Sequence, residues 1–269
     1  MKRYFLPLNK FFDLYIKSGG YPISINGVIT NSLHLSSAYE EIYNYIKNDA
    51  ATITSSLSGN PLKAGLVLSG VLDFVGGKVS YSKIAQKMSM NKSTLVNYSN
   101  RLENSFVFLD IKGMKSFKNK LKDSEVKKFY FSDVFMHYSA GATKYGKTGD
   151  VYSAELINST NIGTIVKEII AGHLIRLKEK DPMLLYGTYL KFYDDNKEID
   201  FIYRKEDEQY IGIEVKYQNS TPTRDIKRVS EIQNYILLTK SSEVKIKNNI
   251  AIFPVCLFLA LLQDSKNNL

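Results

Sequence analysis

The order of apolar and polar positions divides the chain into short amphipathic helices followed by alternating strands. Phe11, Phe12, Tyr15 and Ile16 fall on one helical face, and Gly19-Gly20 followed by Pro22 ends that helix. A second helix is expected over Ala38–Lys47. Leu66–Val75 is apolar enough for a buried helix, stopped by Gly76-Gly77. Ser80 can cap a helix over Tyr81–Met88 with Ile84, Ala85 and Met88 inward. Ser89-Met90-Asn91 reads as a tight turn, and Asn91 can cap the next helix, Lys92–Asn104. There Leu95, Val96 and Leu102 face the core, while Lys92, Ser93, Thr94, Asn97, Asn100 and Arg101 face outward. Phe106–Ile111 and Phe129–Phe131 then read as strands on either side of a Lys-rich excursion. Val134–Ala140 reads as a helix, and the polar stretch Gly141–Gly163 as a long loop. An amphipathic helix is expected over Gly163–Leu174. Glu198–Tyr203 and Tyr210–Tyr217 form a hairpin. Thr223 can cap a helix with Ile226, Val229, Ile232 and Ile236 on one face, and Ile250–Phe253 reads as a last strand.

Charge sharpens the middle of this pattern. The 36 Lys and Arg against 27 Asp and Glu give a net charge of +9. Twelve basic residues and four acidic ones lie between Lys78 and Lys128, so 12 − 4 = +8 of it falls in 51 residues. Helix, helix, turn, helix and basic hairpin is the order of a winged helix-turn-helix. Such a module sets its third helix in the DNA major groove and its Lys-rich wing on phosphates. The candidate DNA contacts are Lys92, Ser93, Thr94, Asn97 and Arg101 on the helix, with Lys115, Lys118 and Lys120 on the wing.

The 269 residues suit about two domains. The expected sections are a helical lead-in (1–62), the winged helix (63–131) and an α/β domain (132–269). With 44% hydrophobic and 23% charged residues, the composition excludes a disordered or fibrous chain. Cys256 is the only cysteine, which excludes an intramolecular disulfide and a Cys-rich zinc site and favours a reducing, cytoplasmic setting. The longest apolar run, Ile250–Leu262, has 13 residues and contains Pro254. It is too short for a spanning helix, which needs about 20, and reads as a buried strand followed by a core helix. No secretory signal is recognisable at the start.

Gly141–Thr148 spells the phosphate-loop pattern G-x-x-x-x-G-K-[ST]. That chemistry needs a strand before the first glycine and a helix starting after the last residue. A helix precedes here, and Gly149-Asp150 is expected to break the helix that should follow, so the match is discounted. His34, His137 and His173 show no ligand spacing and read as structural.

The hairpin carries the sharper signal. Strand alternation puts Glu214 and Lys216 on one face, and Asp200, near the start of the first strand, can lie close to Glu214. Two adjacent carboxylates can hold Mg²⁺, and the lysine can orient water or stabilise charge on a phosphate. Asp200, a 13-residue gap and Glu214-Val-Lys216 resemble the signature of the PD-(D/E)XK nuclease superfamily, with Ile199 in place of its proline. The resemblance implies a restriction-endonuclease-like α/β fold in core order α-β-β-β-α-β. It implies Asp200, Glu214 and Lys216 as catalytic residues. It also implies Glu168, on the first core helix, as a third metal ligand beside Asp200 and Glu214.

Five stretches together are similar to the C-terminal region of prokaryotic, especially archaeal, AAA+ ATPases. They are Tyr15–Pro22, Tyr81–Ile111, Lys128–Asp133, Gly163–Leu177 and Glu198–Gln218. In that family a winged helix and a nuclease-like domain follow an ATPase module, which this chain does not contain. The resemblance implies a fragment or a stand-alone relative, with DNA and an ATPase module as partners. The expected function is DNA binding with Mg²⁺-dependent phosphodiester hydrolysis. The alternative is a non-catalytic DNA-binding or regulatory portion of an AAA+ ATPase.

Overall fold

The computed structural model describes residues 2–31, 35–52, 60–117, 125–177, 189–205, 209–219 and 226–262. Ten helices and nine strands lie among the described residues. They sort into two compact units. A helical unit comprises 14–110 and 125–169, and a sheet unit comprises 1–13, 111–124 and 170–269.

The helical unit takes the end of α1 (Lys2–Ser18), then α2 (Pro22–Thr30), α3 (Leu35–Thr52) and α4 (Pro61–Leu72). It continues through β1 (Lys78–Val79), α5 (Tyr81–Lys87) and α6 (Lys92–Asn104) into the first residues of β2 (Phe108–Met114). After β3 (Lys127–Phe131) come α7 (Val134–Tyr145), α8 (Gly149–Ile157) and the first half of α9 (Ile162–Arg176). Its core gathers Ile46, Val67, Leu68, Ile84, Leu95, Leu102, Phe108, Phe129 and Phe131.

Local chemistry explains the helix starts. Ser80 Oγ accepts the Lys83 N–H at 3.3 Å, and Asn91 Oδ1 accepts the Ser93 N–H at 2.9 Å, so α5 and α6 begin where their caps predict. Asn60 likewise accepts the Leu62 N–H, and Pro61 at the first position starts α4 earlier than expected. α1 ends at Ser18, at the expected Gly19-Gly20 stop, and Pro22 then begins α2. Phe11, expected on the inner face of α1, is exposed, whereas Phe12 and Ile16 are buried.

The stretch from Gly141 to Gly163 is not the expected loop. Gly141 lies inside α7, Gly146 ends that helix with φ +62°, and α8 begins at Gly149. Its glycines serve packing. A Cβ on Gly141 would stand 1.9 Å from the Tyr152 ring, and one on Gly149 would stand 2.1 Å from the Tyr39 ring. Gly149-Asp150 therefore does not break a helix: a glycine lets Tyr39 close on its first turn.

In the sheet unit the strands run in the order β2-β4-β5-β6-β7-β9-β8. The strands after β2 are β4 (Leu190–Asp194), β5 (Glu198–Arg204), β6 (Tyr210–Lys216), β7 (Asn234–Thr239), β8 (Lys245–Lys247) and β9 (Ile250–Pro254). β2–β4, β6–β7 and β7–β9 are parallel, and the remaining pairs are antiparallel. The expected core helix after β9 is α10 (Val255–Leu261). Between β6 and β7, residues 226–233 form turns rather than the expected helix, and Ile236 lies in β7. The Tyr235 hydroxyl holds that turn, accepting the Val229 N–H at 2.6 Å. Thr223 lies outside the described residues. Among the described residues, no helix is long and apolar enough to cross a membrane.

Two measurements check this packing. Gly141→Ala forces a methyl into the Tyr152 ring and lowers the unfolding free energy by about 1–3 kcal/mol in urea melts. Gly163→Ala, in α9 with no neighbour within 4 Å, stays within about 0.5 kcal/mol of wild type. The second concerns His173 on α9. Burial, aided by Arg176, holds its ring down at about 4, against 6.5 for an exposed histidine. The unfolded chain then takes the proton first as pH falls. Stability drops between pH 6.5 and 4, by up to about 1.4 kcal/mol per pH unit from this residue. His173→Gln removes that part of the slope; an unchanged slope contradicts the assignment.

Candidate functional site

The hairpin β5–β6 brings the two expected carboxylates together. Phe201 pairs with Ile213 and Ile202 with Gly212, a register that continues to Asp200 opposite Glu214. Asp200 Oδ2 accepts the Val215 N–H at 3.0 Å, and Glu214 Oε2 accepts the Asp200 N–H at 3.4 Å. Lys216 Nζ lies 2.8 Å from Glu214 Oε1. Asp200 is 3% exposed and Glu214 8%, so both charges are withdrawn from water and need compensation. Backbone N–H groups and the Lys216 ammonium supply part of it. The apolar side of the hairpin, with Ile213 and Val215, is buried. That burial sets the register, because a slip by one residue would turn both carboxylates to the opposite face.

Glu168 belongs to the helical unit. It is fully buried on α9, and His137 Nδ1 lies 3.0 Å from its Oε2. Burial pushes its carboxyl above the usual range, against the pull of the His137 ring. Among the described residues, no three His, Cys, Asp or Glu side chains converge as a metal-binding group. The sequence did not pair His137 with Glu168, because they stand 31 positions apart, on α7 and α9 with α8 between them. No sequence spacing could have shown the pair.

The candidate DNA contacts divide. Lys92, Ser93 and Asn97 are exposed on α6, and Thr94 is half-buried. Arg101 is half-buried too, its guanidinium 5.0 Å from the centre of the Tyr98 ring. Lys115 is exposed in the sheet unit, and Lys118 and Lys120 lie outside the described residues. Part of the basic cluster is engaged by the chain's own acids or buried. Lys127 pairs with buried Asp110, which also accepts the Tyr81 hydroxyl at 3.1 Å. Lys87 pairs with Asp73 at 2.9 Å, and Lys128 is buried. On Asp73, the hydrogen bonds and charges of Lys144 and Lys87 outweigh burial, which acts the other way, and hold its carboxyl below the usual range.

Two family matches cover most of the chain. Residues 163–258 match a domain of unknown function (DUF4143), one typically found at the C-terminus of AAA-ATPase-like proteins. Residues 9–144 match another domain of unknown function (DUF8612). No curated protein and no solved structure matches the chain. The second match spans 136 of the 269 residues, and the chain belongs to the DUF8612 family.

Proposed function

We propose that the chain is a DNA-binding protein whose β5–β6 hairpin carries a Mg²⁺-dependent phosphodiester-hydrolysing site. The observation that carries this reading is the cross-strand meeting of Asp200 and Glu214 with Lys216 Nζ 2.8 Å from Glu214. Asp200 and Glu214 would hold the ion. Two carboxylates suit Mg²⁺, which usually keeps waters and takes its other ligands from substrate phosphates. When bound, the ion supplies charge neutralisation at the phosphate and lowers the pKa of water. Lys216 holds the Glu214 carboxylate and presents a cation where negative charge builds up during attack. Glu168, expected as a third ligand, is bonded to His137.

DNA binding is supported by the order α4-β1-α5-α6-β2-β3, with β1 antiparallel to β3, an order that is similar to that of a winged helix. The buried side of α6 presents Leu95, Tyr98 and Leu102 to the core, which leaves Lys92, Ser93 and Asn97 facing solvent. Long polar side chains on the first turns of such a helix can reach base edges, and lysine can take a phosphate.

The second reading, a non-catalytic DNA-binding portion of an AAA-ATPase-like protein, is favoured by the match over residues 163–258. Nicking of supercoiled plasmid separates the two. The wild-type chain should cleave with Mg²⁺ or Mn²⁺ and not with EDTA. Lys216→Ala and Asp200→Asn should each lower the rate by roughly 10²-fold or more. If wild type and Lys216→Ala cleave equally little, the catalytic reading fails and the second stands. Gel shifts across a salt series test DNA binding in either case. Affinity should fall steeply with salt, and Lys92→Ala should reduce the log–log slope by about 1. Binding that ignores salt contradicts phosphate contact.

A further inference from the structure

α6 carries a line of asparagines on its outer face. Asn97, Asn100 and Asn104 stand at i, i+3 and i+7 and are all exposed, while Leu95, Tyr98 and Leu102 on the opposite side are buried. Asparagine is a poor helix former, because its side chain competes for backbone hydrogen bonds. An exposed helix face is better served by Lys, Glu or Gln. Three asparagines in line on such a face run against local preference, and departures of that kind are expected where the side chains serve a function.

The amide has a defined complement in DNA. It holds a donor, N–H, and an acceptor, C=O, side by side. On the major-groove edge adenine presents the matching pair, N7 as acceptor and N6–H as donor. Guanine presents two acceptors there, which suit a guanidinium, and the Arg101 guanidinium instead lies 5.0 Å from the centre of the Tyr98 ring. Ser93, one turn before Asn97, donates its hydroxyl to Asn91 Oδ1 at 2.7 Å and so serves the cap.

Charge and spacing fit the same partner. Lys92 on the first turn of α6 and Lys83 on α5 are exposed, and both belong to the helical unit. In a helix-turn-helix the helix before the recognition helix meets the DNA backbone. Asn97 and Asn100 are about 4.5 Å apart along the helix axis, against about 3.4 Å for one base step. Two amides so spaced suit neighbouring base pairs.

We propose that α6 reads sequence: Asn97 and Asn100 each take the adenine of one of two adjacent A·T pairs in the major groove, with Lys83 and Lys92 on phosphates. This rests on the DNA binding proposed above and adds a base preference to it; it is independent of the hairpin chemistry.

Selection from a random duplex library with the whole chain, against non-specific competitor DNA, tests it. The enriched duplex should contain two adjacent A·T pairs, and replacing either by G·C should weaken binding by about tenfold. Replacing either adenine by 7-deazaadenine, which lacks N7 but keeps base pairing, should weaken wild-type binding by about fivefold. Asn97→Ala should be indifferent to that change at one position and Asn100→Ala at the other, a match that a merely structural role would not produce. Both variants place a better helix former at an exposed site, so urea melts should show them at least as stable as wild type. Lys92→Ala should weaken all duplexes alike. The proposal is overturned if binding falls with salt yet no sequence is enriched, a result that leaves DNA binding itself standing. It is also overturned if the enriched adenines tolerate 7-deazaadenine, or if Asn97→Ala and Asn100→Ala keep the wild-type preference. If no duplex is bound even at low salt, the DNA-binding reading fails and this proposal fails with it.

Discussion

Asp133 is a buried carboxylate that holds backbone N–H groups at two distant points of the helical unit. Its Oδ1 accepts the Phe135 N–H at 2.9 Å and starts α7, and its Oδ2 accepts the Gly20 N–H at 2.8 Å just after α1. The approach is close enough that a Cβ on Gly19 would lie 2.1 Å from Oδ1, and Gly19 has φ +68°. Glycine there answers both a steric and a conformational demand. The Tyr138 hydroxyl, one turn into α7, donates to the Ile16 carbonyl at 2.6 Å and fixes the same junction a second time. From this anchor α7 runs through nine successive buried residues, Val134 to Ala142. It thereby sets where His137 meets Glu168 and where Gly141 receives Tyr152. Both contacts owe their place to one capped helix.

Carboxylates in the helical unit are each compensated in a different way. Asp110 and Glu168 are buried, the first taking a lysine and a tyrosine hydroxyl and the second an imidazole, whereas Asp73 at the surface takes two lysines. Leaving Asp110 or Glu168 without its partner would strand a charge in a poor solvent, at a cost of several kcal/mol. This changes the meaning of the basic cluster. Lys87, Lys127 and Lys128 count toward its charge, yet Lys127 is bound to a buried acid, Lys128 is buried, and Lys87 is paired with Asp73 at the surface. The positive charge open to a polyanion on the helical unit is smaller than the sequence count and centres on residues such as Lys83 and Lys92.

Where local chemistry decides structure, it was legible in the residues. Ser80 and Asn91 cap α5 and α6 as their side chains predict, and alternation in Glu198–Lys216 gives the hairpin and brings Asp200 to Glu214. Where a distant partner decides, local signals mislead. Gly149-Asp150 resembles a helix breaker, but Tyr39, some 110 positions earlier in the chain, needs that glycine on the first turn of α8. Ile226, Val229, Ile232 and Ile236 keep a helical spacing, but the last belongs to β7 and the others to the turns before it. Ile226, Ile232 and Val229 pack on the sheet core without a helix to carry them. The phosphate-loop pattern has the same origin: Gly141 makes room for Tyr152 and Gly146 closes a helix, so two packing demands reproduce the spacing of a binding motif.

The His137–Glu168 pair bears directly on the proposed hydrolysis. A glutamate that is wholly buried and bonded to an imidazole has part of its acceptor capacity committed to that ring. Under the proposed reading the hairpin itself supplies two carboxylates. An ion so held depends on substrate phosphates for much of its coordination, and its affinity without DNA should be weak. DNA binding and metal binding then become linked: each raises the affinity for the other by the same factor. Under that reading, a bound duplex would supply the phosphates that complete the coordination of an ion held by two carboxylates.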